Sequence, residues 1–200
     1  MKTKLKLCGV LVLIAFSFFK VEAQTEIVQQ FVNTDSIRKI PLVDSKGKAF
    51  KYAAITELTA FVFLSPECPI CKNYSKILNE LNDQWKQQVS FVGIVPGKSY
   101  SRKDINSFIK SYSISFPLYT DQSFALSKKL EATTTPEVIL IDKNGMIVYR
   151  GAIDNWFVDL GKNRSKATSN YLDNAISQSL NGQTVVIHST KPVGCLINDF

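Results

Sequence analysis

An α/β fold, with a mixed β-sheet and helices on both of its faces, is the architecture that this sequence predicts. Three observations predict it. Short apolar runs at 59–64 and 89–95 have the length and β-branched content of buried strands, and stripes of apolar residues at helical spacing alternate with them. Further on, Asn144-Gly145 sits between two apolar runs as a hairpin turn would. The 200 residues, 45% apolar and 20% charged with 9 Gly and 7 Pro, suit one domain with a sizeable core and exclude a disordered or collagen-like chain. Four cysteines are too few to staple a chain of this length, so cysteine has a local task.

Lys2, Lys4 and Lys6 precede an apolar run from Leu7 to Phe19, and Val21-Glu22-Ala23 sets short side chains ahead of a cut after Ala23. Residues 1–23 read as a secretory signal peptide, leaving residues 24–200 as the domain and sending it to the periplasm or outside the cell. The run falls short of the ~18 to 20 residues that cross a bilayer, so no permanent membrane span is expected. Cys8 lacks a preceding small-residue lipobox and leaves with the peptide. With that segment go four lysines and Glu22, which lowers the net charge from +7 to about +4. The densest basic cluster that remains, Lys98, Arg102 and Lys103, is too small for a nucleic-acid groove, and nucleic acid is not an expected partner.

Residues 24–35 carry no firm pattern. Ile40–Val43 and Ala49–Tyr52, around the turn Asp44–Lys48, predict a small N-terminal hairpin. Thr59–Leu64 predicts a buried central strand. Ile70, Tyr74, Ile77, Leu78, Leu81 and Trp85 then share one stripe of a helix. Val89–Val95 is the next strand, Ser101 to Asp104 a helix cap, and Ile105, Phe108, Ile109 and Tyr112 the buried face of the helix behind it. Phe116–Tyr119 predicts a strand, and Asp121 the cap of a helix ending near Glu131. Val138–Ile141 and Met146–Tyr149 form the Asn-Gly hairpin. Leu172, Ala175, Ile176 and Leu180 mark a last helix closed by Gly182. From about residue 183 a C-terminal extension begins, in which Thr184–His188 looks β-like and His188, the only histidine, reads as structural.

The chemistry concentrates in Cys68-Pro69-Ile70-Cys71, placed between a buried strand and an amphipathic helix. A thiol at a helix N-terminus faces unsatisfied N–H groups and the positive end of the helix dipole, which favour the thiolate. Lowering a thiol pKa from ~8.5 to ~7 raises its ionised fraction at pH 7 from about 3% to about half. Cys68 is therefore the predicted nucleophile. Pro69 suits the first helical turn because it has no N–H to lose, and Cys71, one turn on, is placed to resolve a mixed disulfide.

Strand, Cys-x-x-Cys, helix and the later Thr135-Pro136-Glu137-Val138-Ile139-Leu140-Ile141-Asp142-Lys143-Asn144-Gly145 together resemble the thioredoxin superfamily, closest to its exported TlpA/ResA-like and AhpC/TSA-type redoxins. The resemblance covers roughly Ile40 to Gly182. It implies a thioredoxin-like fold and a thiol-disulfide oxidoreductase that exchanges disulfides with protein substrates and is recycled by a redox partner. No dissociable cofactor is implied, because a Cys68–Cys71 disulfide carries the two electrons. The family's proline is cis beside the dithiol, which makes Thr135-Pro136 a substrate-binding edge; a trans proline opening a strand is the plain alternative.

The chain also departs from the family. Thioredoxins carry a buried acid six residues before the first cysteine, where this chain has Val62, so the proton acceptor for Cys71 falls to Glu67 or Glu137, each of which could equally be a surface acid. A peroxiredoxin-like thiol peroxidase is the alternative activity. Ser65 matches its motif, but Phe61 stands where its proline belongs, and Thr134, Thr135 and Pro136 stand where its arginine belongs. Cys195, in Val193-Gly194-Cys195-Leu196-Ile197, resembles the Gly-Cys-x-Ile ending of some exported redoxins; it is either a buried apolar thiol or a third redox thiol. Cys68, Cys71, His188 and Cys195 also number the four ligands of a structural zinc, the reading of a non-enzymatic binding module, but the seven-residue spacing of the last two is unusual for a ligand pair.

Overall fold

A computed structural model describes residues 30–50 and 58–197. The signal peptide, Cys8 and the Lys51-Tyr52 end of the predicted hairpin lie outside the described residues. In chain order the elements are α1 (Thr34–Arg38), β1 (Val43–Asp44), β2 (Leu58–Phe63), α2 (Pro69–Trp85), β3 (Val89–Pro96), α3 (Arg102–Ser111), β4 (Leu118–Asp121), α4 (Ala125–Lys129) and β5 (Thr134–Thr135). There follow β6 (Glu137–Asp142), β7 (Ile147–Gly151), β8 (Phe157–Asp159), β9 (Lys162–Asn163), α5 (Tyr171–Leu180) and β10 (Cys195–Leu196). The main sheet runs β1-β4-β3-β2-β6-β7, with β2, β3 and β4 mutually parallel and β1, β6 and β7 antiparallel to their neighbours.

Strand β2 is apolar at nearly every position because both its faces are covered. Ala60, Val62 and Leu64 pack into one cluster with Ile70, Tyr74 and Leu78 of α2, Ile105 and Phe108 of α3, and Leu172 and Ile176 of α5. Phe61 and Phe63 point the other way, into a second cluster with Ile37 of α1 and Leu126 of α4. The predicted mixed sheet with helices on both faces is the observed fold. Among the described residues, no helix is long and apolar enough to cross a membrane.

Local signals act as expected in several places. Ser101 and Asp104 close a capping box on α3. The hairpin β6–β7 turns at Gly145, whose φ of +91° and close approach to the Val32 carbonyl suit only glycine. Where the N-terminal hairpin is expected, Val43 bridges Ala49 antiparallel, the Asp44 amide donates to the Lys48 carbonyl and the Phe50 amide to the Leu42 carbonyl, each at 2.9 Å, while the other edge of β1 pairs with β4. Two expectations need correction. Asp121 does not cap α4 from the N-cap position, which Phe124 holds in the left-handed region; its carboxylate instead accepts from the Ser127 amide and hydroxyl, both at 2.8 Å. Thr184–His188 forms no strand, since only Ser189 bridges β7, at Arg150.

Helix α2 is tied down along its polar side as well. Asn79 donates to the Tyr112 and Ser113 carbonyls, each at 3.1 Å, and accepts from the Ser115 amide at 2.9 Å. Asn82 donates to the Ser115 hydroxyl at 3.0 Å. This clasp joins the middle of α2 to the turn after α3.

A three-thiol candidate site at the start of α2

The chain leaves β2, turns through Leu64–Glu67 and enters α2 with Cys68 as N-cap and Pro69 in the first turn. Cys68 makes no side-chain capping bond, so its sulfur is not committed to the helix amides. Cys71 lies one turn on, wholly buried, and its sulfur accepts from the Ser65 amide at 3.4 Å. The opposite wall is the segment Thr133–Glu137, whose Thr135–Pro136 peptide bond is cis, as the family resemblance implies. In its thiol form Cys68 donates to the Thr135 carbonyl at 3.2 Å.

A third sulfur completes the site. Strand β10 pairs antiparallel with β5, setting Cys195 opposite Thr135 and Leu196 opposite Thr134. The pairing continues as the Ile197 amide donates to the Thr133 carbonyl at 2.9 Å, and the Thr135 hydroxyl donates to the Cys195 carbonyl at 3.3 Å. Cys195 Sγ is thereby held 2.6 Å from Cys68 Sγ, to which its S–H donates. All three cysteines are free thiols.

Their electrostatics are complementary. Hydrogen bonding from the Cys71 thiol, opposed by burial and reinforced by Cys195, lowers Cys68 to about 5. Burial raises Cys71 well above the ordinary thiol range, and its bond to Cys68 adds to this. Burial and then the bond to Cys68 push Cys195 up to about 12. At neutral pH the site therefore holds one thiolate, on Cys68, between two protonated donors. Neighbouring thiols are the leading favourable cause, and the Cys71 backbone amide, at the helix terminus that the sequence pointed to, lowers Cys68 further.

The other sequence candidates fall out as follows. Glu67 is exposed. Glu137 is buried and burial raises its pKa, but its carboxylate accepts from the Thr133 and Thr134 amides at 2.8 and 3.1 Å and so holds the loop carrying Thr135-Pro136. Ser65 Oγ pairs with the Tyr100 hydroxyl at 2.7 Å. The Arg150 guanidinium reaches the Leu130 carbonyl at 3.2 Å and Glu131 at 3.5 Å. His188 offers its backbone carbonyl to the Arg150 amide. No group of three or more His, Cys, Asp or Glu side chains placed to hold a metal occurs among the described residues.

Sequence reasoning missed the floor beside the cis proline. Tyr74 donates to Asp154 and meets Trp156 edge-on, with ring centroids 5.6 Å apart. Tyr74, Phe157 and Val193 line a small recess against Pro136. Only an aromatic on the inner stripe of α2 hinted at it.

Comparison with known proteins bears on the family and the fold. The family model described as Redoxin matches residues 24–156. The thiol-disulfide oxidoreductase ResA of Bacillus thuringiensis subsp. konkukian is 27% identical over 148 residues, which cover 71% of this chain and 79% of that protein. Among solved structures, a hypothetical protein from Sinorhizobium meliloti superposes with a TM-score of 0.72 at 24% identity, over 80% of this chain and 90% of its own. A secreted Mycobacterium tuberculosis disulfide oxidoreductase homologous to E. coli DsbE superposes with a TM-score of 0.53 at 15% identity, over 75% and 99%. The structural likenesses carry the fold, which is thioredoxin-like.

Proposed function

From the premise that the chain belongs to the Redoxin family and is an oxidoreductase, we propose that it exchanges disulfides with protein substrates through Cys68 and Cys71. In the reducing direction, the Cys68 thiolate attacks one sulfur of a substrate disulfide, and the other leaves as a thiolate that takes up a proton. Cys71 then gives up its proton and attacks Cys68 Sγ, forming the Cys68–Cys71 disulfide and releasing the second substrate thiol. Two electrons pass from the dithiol to the substrate, and the same steps run backwards oxidise a substrate dithiol. The dithiol carries the electrons itself, so no dissociable cofactor is required, and a separate redox partner restores it. The ResA-type relatives support this reading, as does the signal-like start of the chain, which fits a protein that works outside the cytoplasm.

The observation that carries the proposal is the Cys68–Cys71 pair at the head of α2 facing the cis Thr135–Pro136 bond, where the Cys68 thiol is lowered to about 5 and burial raises Cys71 well above the ordinary range. One sulfur is ionised for attack once a substrate reaches it, and the other stays protonated until a mixed disulfide forms. Ser65 Oγ pairs with Tyr100 and the Arg150 guanidinium with Leu130 and Glu131, so the partners shown for both lie elsewhere than at the Cys68 sulfur. A glutathione redox titration with differential alkylation tests the proposal. Cys68 and Cys71 should convert together from two free thiols to one disulfide, and the protein should accelerate reduction of a disulfide-bonded protein such as insulin. Rapid peroxide consumption that survives Cys71→Ser, with no insulin reduction, would replace this reading with the peroxidase.

A further inference from the structure

We propose that Cys195 is a third redox thiol, held over Cys68 by β10 in the position of an incoming substrate sulfur, and that it exchanges with the Cys68–Cys71 disulfide. This rests on Cys68 and Cys71 being the reactive pair. Three separate features place it there. The sulfurs of Cys195 and Cys68 lie 2.6 Å apart. Backbone pairing with Thr134 and Thr135 fills the edge beside the cis proline to which an extended substrate would add. Gly194 lets the two backbones meet, because a Cβ there would stand 2.1 Å from the Thr135 carbonyl oxygen and 3.1 Å from Pro136 Cδ.

Access points the same way. Cys68 is 2% exposed and Cys71 0%, whereas Cys195 is partly exposed. The buried pair thus reaches an outside thiol either through Cys195 or after β10 lifts away.

The exchange balances without any added oxidant. The Cys195 thiol gives up its proton and its sulfur attacks Cys68 Sγ. As the Cys68–Cys195 bond forms, the Cys68–Cys71 bond breaks, and Cys71 leaves with the electron pair and takes up a proton. One disulfide and one thiol are present before and after. The disulfide has moved to a sulfur that solvent reaches, where an incoming thiolate can attack it.

The test is disulfide mapping in a glutathione buffer. Cys71→Ser should lose the free thiols of Cys68 and Cys195 and yield a monomer whose digest contains the peptide of Cys68 linked to that of Cys195. A folded Cys71→Ser protein that instead carries glutathione on Cys68 with Cys195 free would overturn the proposal. Oxidised wild-type protein, quenched by rapid alkylation, should give the Cys68–Cys195 linked peptide beside the Cys68–Cys71 one. Its complete absence overturns the proposal even should Cys71→Ser fail to fold. Cys195→Ser separates the two readings: if it forms no Cys68–Cys71 disulfide, the dithiol function itself falls, and if it does while the oxidised wild-type protein shows no linkage to Cys195, only the relay falls.

Discussion

Cys71 and Cys195 both bear on the Cys68 sulfur, and the fold holds them in opposite ways. Cys71 sits in a 17-residue helix with its sulfur wholly buried in the larger core cluster, behind the Asn79 clasp. Cys195 sits in a two-residue strand held by its pairing with Thr134–Thr135 and by one buried side chain, Ile197. Moving Cys71 means moving the core. Lifting Cys195 means breaking a few backbone bonds worth about 0.5–1.5 kcal/mol each. The contrast gives the nucleophile one permanent neighbour and one that local opening can release.

The most severe way to break the contrast is to remove what both neighbours share. Cys68→Ser should abolish insulin reduction altogether, since neither remaining thiol is ionised at neutral pH, and a turnover assay reads this directly. Next in size, Gly194→Val should push β10 off β5 and speed alkylation of Cys68 at least ~10-fold, the equivalent of about 1.4 kcal/mol of easier opening. Cys71 should stay protected in the same experiment. Equal acceleration at both cysteines would mean that the two are not held differently.

A smaller effect sharpens the comparison electrostatically. Cys195→Ala removes a donor to the Cys68 thiolate, so the titration of Cys68, followed by ultraviolet thiolate absorbance, should move upward from about 5. Because folding lowers the pKa of Cys68, the folded state binds fewer protons there than the unfolded chain. Its contribution to stability is complete above the ordinary thiol range and declines as pH falls towards about 5. Denaturation midpoints of the reduced protein should follow that slope and lose it in Cys68→Ser. Smallest of all, Tyr74→Phe should cost about 1–2 kcal/mol in a denaturant melt, since Asp154 keeps the Trp156 amide as a donor.

What could be read from sequence was what neighbours in sequence decide. The stripe from Ile70 to Trp85, the Ser101–Asp104 box and the turn at Gly145 all formed as their local chemistry requires. The Cys-x-x-Cys at the head of a helix belongs with them. Failures came where the partner lies far along the chain. Val43 and Ala49 pair locally, but nothing near them in sequence shows that the other edge of β1 joins β4 some 75 residues away. Thr184–His188 has a strand's composition, yet the chain meets the free edge of β7 only at its end and just beyond, where His188 and Thr190 bond to Arg150. Glu137, a candidate proton acceptor or a surface acid by sequence, is buried, and its oxygens serve the Thr133–Thr134 amides, which spacing alone does not reveal. Cys195 stood out as an odd thiol, but its distance from Cys68 across 127 positions is a property of the folded chain.

The asparagine clasp on α2 fixes where the molecule can yield when its sulfurs change partners. Asn79 bolts the helix midpoint to the turn after α3, so a rearrangement at Cys68 has no route down the helix axis and must be absorbed at its head and in the C-terminal segment facing it. Reduced and oxidised forms would then show the same amide-exchange rates from the clasp to Trp85 and differ at 65–71, 133–136 and 193–197, a hinge line drawn by one side-chain amide.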